Sequence, residues 1–189
     1  MHKFSIIYVD CPWRYGTKNP AKYGGATYPT MTVEELSNLP VHLIADRDCA
    51  LFFWVTYPLL EEGLEVIKAW GFRYRTVAFT WVKTNRVAGT YRSGLGHWTN
   101  PNAELCLFAK KGHPKRIAKN IKELVVAPVT RHSAKPPEVR DRIIQLVGDL
   151  PKIELFARER TPGWVCLGNE IDGLDIREAL HQLISMDNP

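Results

Sequence analysis

The stretch FSIIYV at residues 4–9, running into Asp10-Cys11-Pro12-Trp13, decides the fold. A short run of β-branched and aromatic residues without polar alternation predicts a strand buried on both faces, as in a parallel sheet covered by helices. Working outward, residues 11–31 are rich in Gly, Pro, Tyr and Lys and read as loop. Thr32-Val-Glu-Glu35 has the Thr-x-x-Glu form of a capping box and predicts a short helix ending before Pro40. ALFFWV at 50–55 predicts a second buried strand, followed by a helix from about 58 to 70 that Gly71 stops. Residues 74–82 and ELCLFA at 104–109 read as strands separated by a long loop. Pro136-Pro137 opens a helix to about Val147, where the missing N–H does no harm. KIELFA at 152–157 and residues 164–167 close the sheet, and an amphipathic helix spans about 176–184. Strands alternating with helices predict an α/β fold, a mostly parallel sheet with helices on both faces, in a single domain over 1–189. Ligands of such sheets bind beyond the carboxyl ends of strands. That points to residues 10–15, 158–163 and 169–172.

Bulk properties exclude several classes. Apolar residues make up 45% and charged residues 24% of the 189, the balance of an ordinary globular chain rather than a disordered one. No apolar run approaches bilayer length, and Met1-His2-Lys3-Phe4 enters a strand without a signal-peptide layout. The expectation is a cytoplasmic protein with no membrane partner. Cys11, Cys49, Cys106 and Cys166 are scattered, form no metal-binding spacing and lie in or beside apolar runs, so they read as reduced core or pocket thiols.

The net charge is only +5, but it is concentrated. From Lys83 to Arg131 ten basic residues face two acidic ones, a net +8, with Tyr91, His97, Trp98 and several glycines among them. A basic loop with stacking groups suits a polyanion made of flat bases. Lys83, Arg92, Lys115 and Arg116 are its candidate phosphate contacts.

Asp10-Cys11-Pro12-Trp13 suits one chemical problem. The 6-amino nitrogen of adenine is a poor nucleophile because its lone pair is delocalised into the ring. A carboxylate and a fixed backbone carbonyl can accept both amino hydrogens and free that lone pair. Pro12 fixes where the Cys11 carbonyl points, and Trp13 offers a stacking plate for an extruded base.

The chain resembles the adenine-N(6) methyltransferases that include the catalytic subunit of the eukaryotic messenger-RNA adenosine methyltransferase and many bacterial and phage enzymes. The resemblance runs from about Lys3 to Asp175. It rests on FSIIYVDCPW, Tyr28-Pro-Thr-Met31, LFFWVT at 51–56, TWVKTN at 80–85, GLGHWTN at 94–100, RHSAKPPEV at 131–139, KIELFARE at 152–159 and PGWVCLGNEIDG at 162–173. It implies a Rossmann-like S-adenosylmethionine-dependent methyltransferase fold with S-adenosylmethionine as cofactor. Asp10, Cys11, Pro12 and Trp13 match the catalytic motif, whose usual second residue is Pro; Cys11 leaves the carbonyl available but loosens the turn. Ser133 and Lys135 match a Ser-x-Lys-Pro element at the methionine end of the donor. Phe156 and Arg158 fall in the turn after the donor strand, Asn169 and Glu170 at the donor ribose, and Asp10 also borders the donor. Tyr28–Met31 and Arg92–Asn102 are similar to two loops that frame the substrate, which brings in Tyr28, Arg92, His97, Trp98 and Asn100 beside Lys83. Relatives often carry a segment before the first strand that covers the donor adenine; here that strand begins at Phe4.

The function implied is adenine-N(6) methylation of DNA, because small members of this shape are commonly bacterial or phage enzymes. An RNA substrate is the first alternative. A catalytically inactive nucleic-acid-binding subunit is the second, against which Asp10, Pro12, Trp13 and Lys135 argue. Sequence specificity would come from the two loops or from a partner, as a homodimer or with a second subunit.

Overall fold

A computed structural model describes residues 3–14, 29–96, 98–130 and 134–186. Its strands are β1 (Phe4–Asp10), β2 (Ala45–Val55), β3 (Arg73–Thr84), β4 (Ala103–Lys111), β5 (Leu124–Pro128), β6 (Lys152–Leu155) and β7 (Val165–Leu167). They form one sheet in the order β5-β3-β4-β2-β1-β6-β7. β1 lies between β2 and β6, parallel to both, and β6–β7 and β3–β5 are also parallel. β4 runs antiparallel to β2 and β3. Its direction has a simple cause: the β3–β4 connection contains no helix to carry the chain back across the sheet, so β4 returns along its neighbour. The architecture is the Rossmann-like one expected, mostly parallel with one reversed strand.

The helices are α1 (Val33–Ser37), α2 (Val41–Ile44), α3 (Leu60–Ala69), α4 (Glu138–Val147), α5 (Asn169–Asp172) and α6 (Ile176–Ser185). Side chains alternate across β1, so Ile7 and Val9 enter one core while Ile6 and Tyr8 enter the other. The first core is closed by Leu36, Val41, Val66, Ile67, Ile176 and Leu180 from α1, α2, α3 and α6. The second is closed by Val139, Ile143 and Val147 of α4. Polar atoms inside the second core are paired: Trp54 Nε1–H donates to Tyr8 Oη (2.7 Å), and Arg140 grips Glu154 with two bonds of 2.7 Å.

The expected capping box is present, with Thr32 Oγ1 accepting from the Glu35 N–H (3.1 Å) and Glu35 accepting from the Thr32 N–H (2.8 Å). The helix expected at 58–70 is a 3-10 turn, Tyr57–Leu59, continued by α3. β5, α2 and α5 were not expected. All four cysteines are buried and free.

The register divides the basic segment between the two ends of the sheet. Asp10 lies level with Trp54, and Trp54 with Cys106. β4 therefore starts at the Asp10 end of the sheet and finishes at Lys111, level with Cys49 near the opposite end. Five residues of strand separate these levels, about 17 Å. The basic segment is not one loop: Lys83, Arg86 and Arg92 stand at the Asp10 end, whereas Lys110, Lys111, Lys115 and Arg116 stand at the other. Lys115 and Arg116 therefore do not frame the Asp10 site, because β4 carries the chain across the sheet before they occur.

Candidate active site

A cleft of about 320 Å³ opens at the carboxyl ends of β1, β6 and β7, where the topology rule places ligands. Five residues expected on the donor side line it: Asp10, Phe156, Arg158, Asn169 and Glu170. Cys11 and Pro12 line it too, joined by Pro29, Met31, Gly173, Asp175 and Ile176. Met31 arrives because residues 29–31 return beside the catalytic motif: the Met31 N–H donates to Pro12 O (2.8 Å) and the Arg14 N–H to Met31 O (2.9 Å). Asp175 and Ile176 arrive as the start of α6, with Asp175 as its N-cap. Sequence reading missed both, although Asp before an amphipathic run is a helix-start signal.

Local backbone builds the floor. β6 is followed by Phe156, which holds φ at +60°, a left-handed conformation costing a non-glycine residue about 1–3 kcal/mol. Such strain persists only where surrounding structure enforces it, and here the Ala157 N–H is tied to Leu167 O (2.9 Å). Gly168 closes the same corner. A Cβ there would sit 2.1 Å from Ala157 O, so β7 and the turn after β6 touch only because position 168 has no side chain. Gly168→Ala is expected to lower stability by about 1–3 kcal/mol, read as a lower midpoint in urea; an unchanged midpoint would show that the corner relaxes freely.

The cleft's charge opposes that of the chain. Among the described lining residues, Asp10, Glu170 and Asp175 are set against Arg158. Arg158 Nε donates to Glu170 Oε1 at 2.6 Å. Both side chains are partly exposed, so the pair orders Glu170 more than it stabilises the fold. An acid-rich, half-apolar cleft with Phe156, Met31 and Ile176 suits an amphipathic cation. That is the character of S-adenosylmethionine, which joins a sulfonium and an ammonium to an apolar base and a ribose diol.

Lys135 sits behind Asp10. Its Nζ donates to Asp10 Oδ2 at 2.6 Å and lies 3.3 Å from Glu104 Oε2 and 5.6 Å from the centre of the Trp54 ring. The Lys135 side chain is only 8% exposed, against 29% for Asp10. Glu104 in turn binds Lys83 (2.5 Å), itself over the Trp81 ring. Burial pushes the Asp10 carboxyl above its ordinary range; Lys135 opposes that and Glu104 adds to it. Burial also acts to raise Glu104, but Lys135 and Lys83 outweigh it and hold Glu104 low. For Lys135 burial favours the neutral amine, and the two carboxylates overcome it and raise its pKa. Asp10 Oδ1 bonds no described residue. The carboxylate is pinned by one oxygen and offers the other.

The turn itself is firm despite Cys11. The Trp13 N–H donates to Cys11 O (3.0 Å), and the Trp13–Met31 bridge holds the following residues. Cys11 O therefore keeps one lone pair. Trp13 does not form the open stacking plate expected of it. Its ring is 6% exposed and packs edge-on against Phe53, 6.0 Å between centroids. Its Nε1–H is buried without an acceptor among the described residues.

On the substrate side, Lys83 is committed to Glu104, and Arg92, Trp98 and Asn100 are exposed on the β3–β4 connection. Val87, Leu95 and Trp98 of that connection are 98–100% exposed. Tyr28, His97 and Ser133 lie outside the described residues.

The MT-A70 family model matches residues 4–170. The N(6)-adenosine-methyltransferase catalytic subunit METTL3 of Homo sapiens is 35% identical over 178 residues, covering 92% of this chain and 29% of that protein. The N(6)-adenosine-methyltransferase MT-A70-like protein of Drosophila melanogaster is 36% identical over 176 residues, covering 91% of this chain and 28% of its own length. The type II methyltransferase M.MunI of a Mycoplasma species is 36% identical over 191 residues, covering 89% of this chain and 78% of the relative. This chain thus spans under a third of the animal relatives and most of the bacterial one. The matched span begins with β1, carries the Asp10–Trp13 turn, Lys135 and the Phe156 corner, and ends at Glu170: the chain belongs to the MT-A70 family.

Proposed function

We propose that this chain is an S-adenosylmethionine-dependent methyltransferase that acts on the 6-amino group of adenine in DNA. The observation that carries the reading is Asp10, held by Lys135 through Oδ2, with Oδ1 bonded by no described residue, on an acid-rich cleft. The donor supplies a methyl group already activated on a sulfonium, so the chain must align and stabilise rather than activate. Asp10 Oδ1 and the remaining lone pair of Cys11 O are suited to accept the two amino hydrogens. Doing so localises the nitrogen lone pair for attack. Lys135 keeps Asp10 ionised beforehand, while burial makes the carboxyl more basic than usual and able to hold the proton the nitrogen sheds. Glu170, steadied by Arg158, is suited to a ribose diol, the use dinucleotide folds make of an acid at this position. Arg92 and Trp98 on the β3–β4 connection would meet the strand.

DNA is favoured by the relative of comparable length, a type II methyltransferase; RNA is the second reading, favoured by the adenosine methyltransferases. A cytoplasmic location goes with either, and among the described residues no helix is long and apolar enough to cross a membrane. Methyl transfer from labelled donor to matched DNA and RNA strands, followed by base analysis, tests the proposal. N6-methyladenine in DNA is the expected product, and transfer to RNA alone would overturn the choice. Glu170→Ala should weaken donor binding by about 1–3 kcal/mol, the loss of hydrogen bonds to a charged group. Calorimetry that finds the affinity unchanged removes Glu170 from the donor site.

A further inference from the structure

The far end of the sheet carries a basic platform that the cleft does not use. Lys110, next to the end of β4, lies directly opposite Arg73 of β3. The chain then crosses from β4 to β5 through Lys115, Arg116, Lys119 and Lys122, all exposed. None of these six cations is paired with a described carboxylate. The acids nearby are occupied: Glu123 accepts from Thr80 Oγ1 (3.0 Å) and Asp48 from the His113 N–H (2.7 Å). Like charges placed side by side without counter-ions repel, and the fold pins this connection in place regardless. The Ile117 N–H donates to Leu146 O (2.8 Å), and Arg142 Nη1 donates to the carbonyls of Lys122 and Leu124 (2.9 and 2.8 Å).

We propose that this platform is a second contact surface for the sugar–phosphate backbone of the substrate strand, several nucleotides from the target adenine. The inference rests on the nucleic-acid reading above. Continuity favours a strand over an acidic protein. β5 runs along the sheet's outer edge from Leu124, just after Lys122, to Pro128, level with Thr84 beside Lys83. Its Leu124 and Val126 are more than half exposed. Leu124 is level with Thr80 and, through Leu105, with Val55 beside the Asp10 level, so the connection from Lys110, level with Ala50, climbs back over five residues of strand, about 17 Å, the reach of about five nucleotides at 3.4 Å each. The basic connection thus runs from Lys115 and Arg116 at the far end through Lys119 to Lys122, close to the end where Arg86 and Arg92 stand. A substrate must extend beyond the target base to span both.

The test uses the full chain and Lys115→Glu/Arg116→Glu/Lys119→Glu, with single-stranded DNA of increasing length carrying one adenine near either end. Wild-type affinity should step upward once the strand extends about five to ten nucleotides past the adenine on one side. The end at which the step occurs gives the polarity. The variant should lack the step and bind long strands at least tenfold more weakly. Its log affinity against log salt should be shallower by about two, three contacts at about 0.7 each. Short strands, donor affinity and the melting temperature should be unchanged. Unchanged long-strand affinity and slope would mean a solvated face, and equal losses on short and long strands a general field effect; either overturns the proposal. Nucleic-acid binding that is unchanged while polyglutamate binding is lost would assign the surface to an acidic protein and overturn it too. If no strand is methylated yet the length step appears and is lost in the variant, the catalytic reading fails and this one stands.

Discussion

Asp10→Asn is expected to lower kcat by about two to four orders of magnitude, the cost of losing a transition-state acceptor. The substitution keeps the size of the side chain and can still accept from Lys135, so the fold and the cleft should persist. The free position opposite Lys135 would then be an amide, unable to take up a proton from the attacking nitrogen. Donor affinity should change little, because the remaining cleft residues are untouched. The measurement is single-turnover methyl transfer at saturating donor and strand, with calorimetry for donor binding. A near-normal rate with an intact fold would falsify the role given to Asp10. The wild-type pH profile adds a check on sign. Burial raises the Asp10 carboxyl above an ordinary aspartate, and catalysis needs it ionised at the outset. Activity should therefore fall on the acid side at a pH above the usual aspartate range.

Lys135→Met should affect stability and turnover together. Lys135 Nζ lies 2.6 Å from Asp10 Oδ2 and 3.3 Å from Glu104 Oε2, so those carboxylate oxygens stand within about 6 Å of each other. Removing one partner of a buried ionic cluster costs about 3–5 kcal/mol, because the remaining charges are left uncompensated. Two like charges so close cannot both ionise readily. Lys135 lowers the Asp10 pKa, so its loss must raise that pKa further. The acid limb of kcat should move to higher pH, with activity near neutrality down by about two orders of magnitude and partly regained in alkali. Glu104→Gln in the same chain removes the like-charge conflict and should recover most of the stability without restoring turnover, a coupling that a double-mutant cycle reads directly. A Lys135→Met enzyme with the wild-type pH profile would break the proposed link between Lys135 and Asp10.

Much of the molecule was legible without coordinates. Residues 6–9, 50–55 and 105–109 are continuous apolar runs because both faces of their strands are covered. The Thr32–Glu35 cap is local chemistry within one turn. The strand-end rule pointed to residues 10–15, 158–163 and 169–172, which hold Asp10, Arg158, Asn169 and Glu170, and the family resemblance added Phe156; all five line the cleft. Only the tertiary structure decided the rest. β5 was missed because Leu124–Pro128 is a short edge strand exposed at alternate positions, which reads as loop. The direction of β4 leaves no trace in its hydrophobic pattern, since either direction buries the same side chains. That direction carried Lys115 and Arg116 away from Asp10. The contact between Lys135 and Asp10 joins residues 125 apart. Charge and spacing along a chain say which groups are available; sheet order and register decide which of them meet.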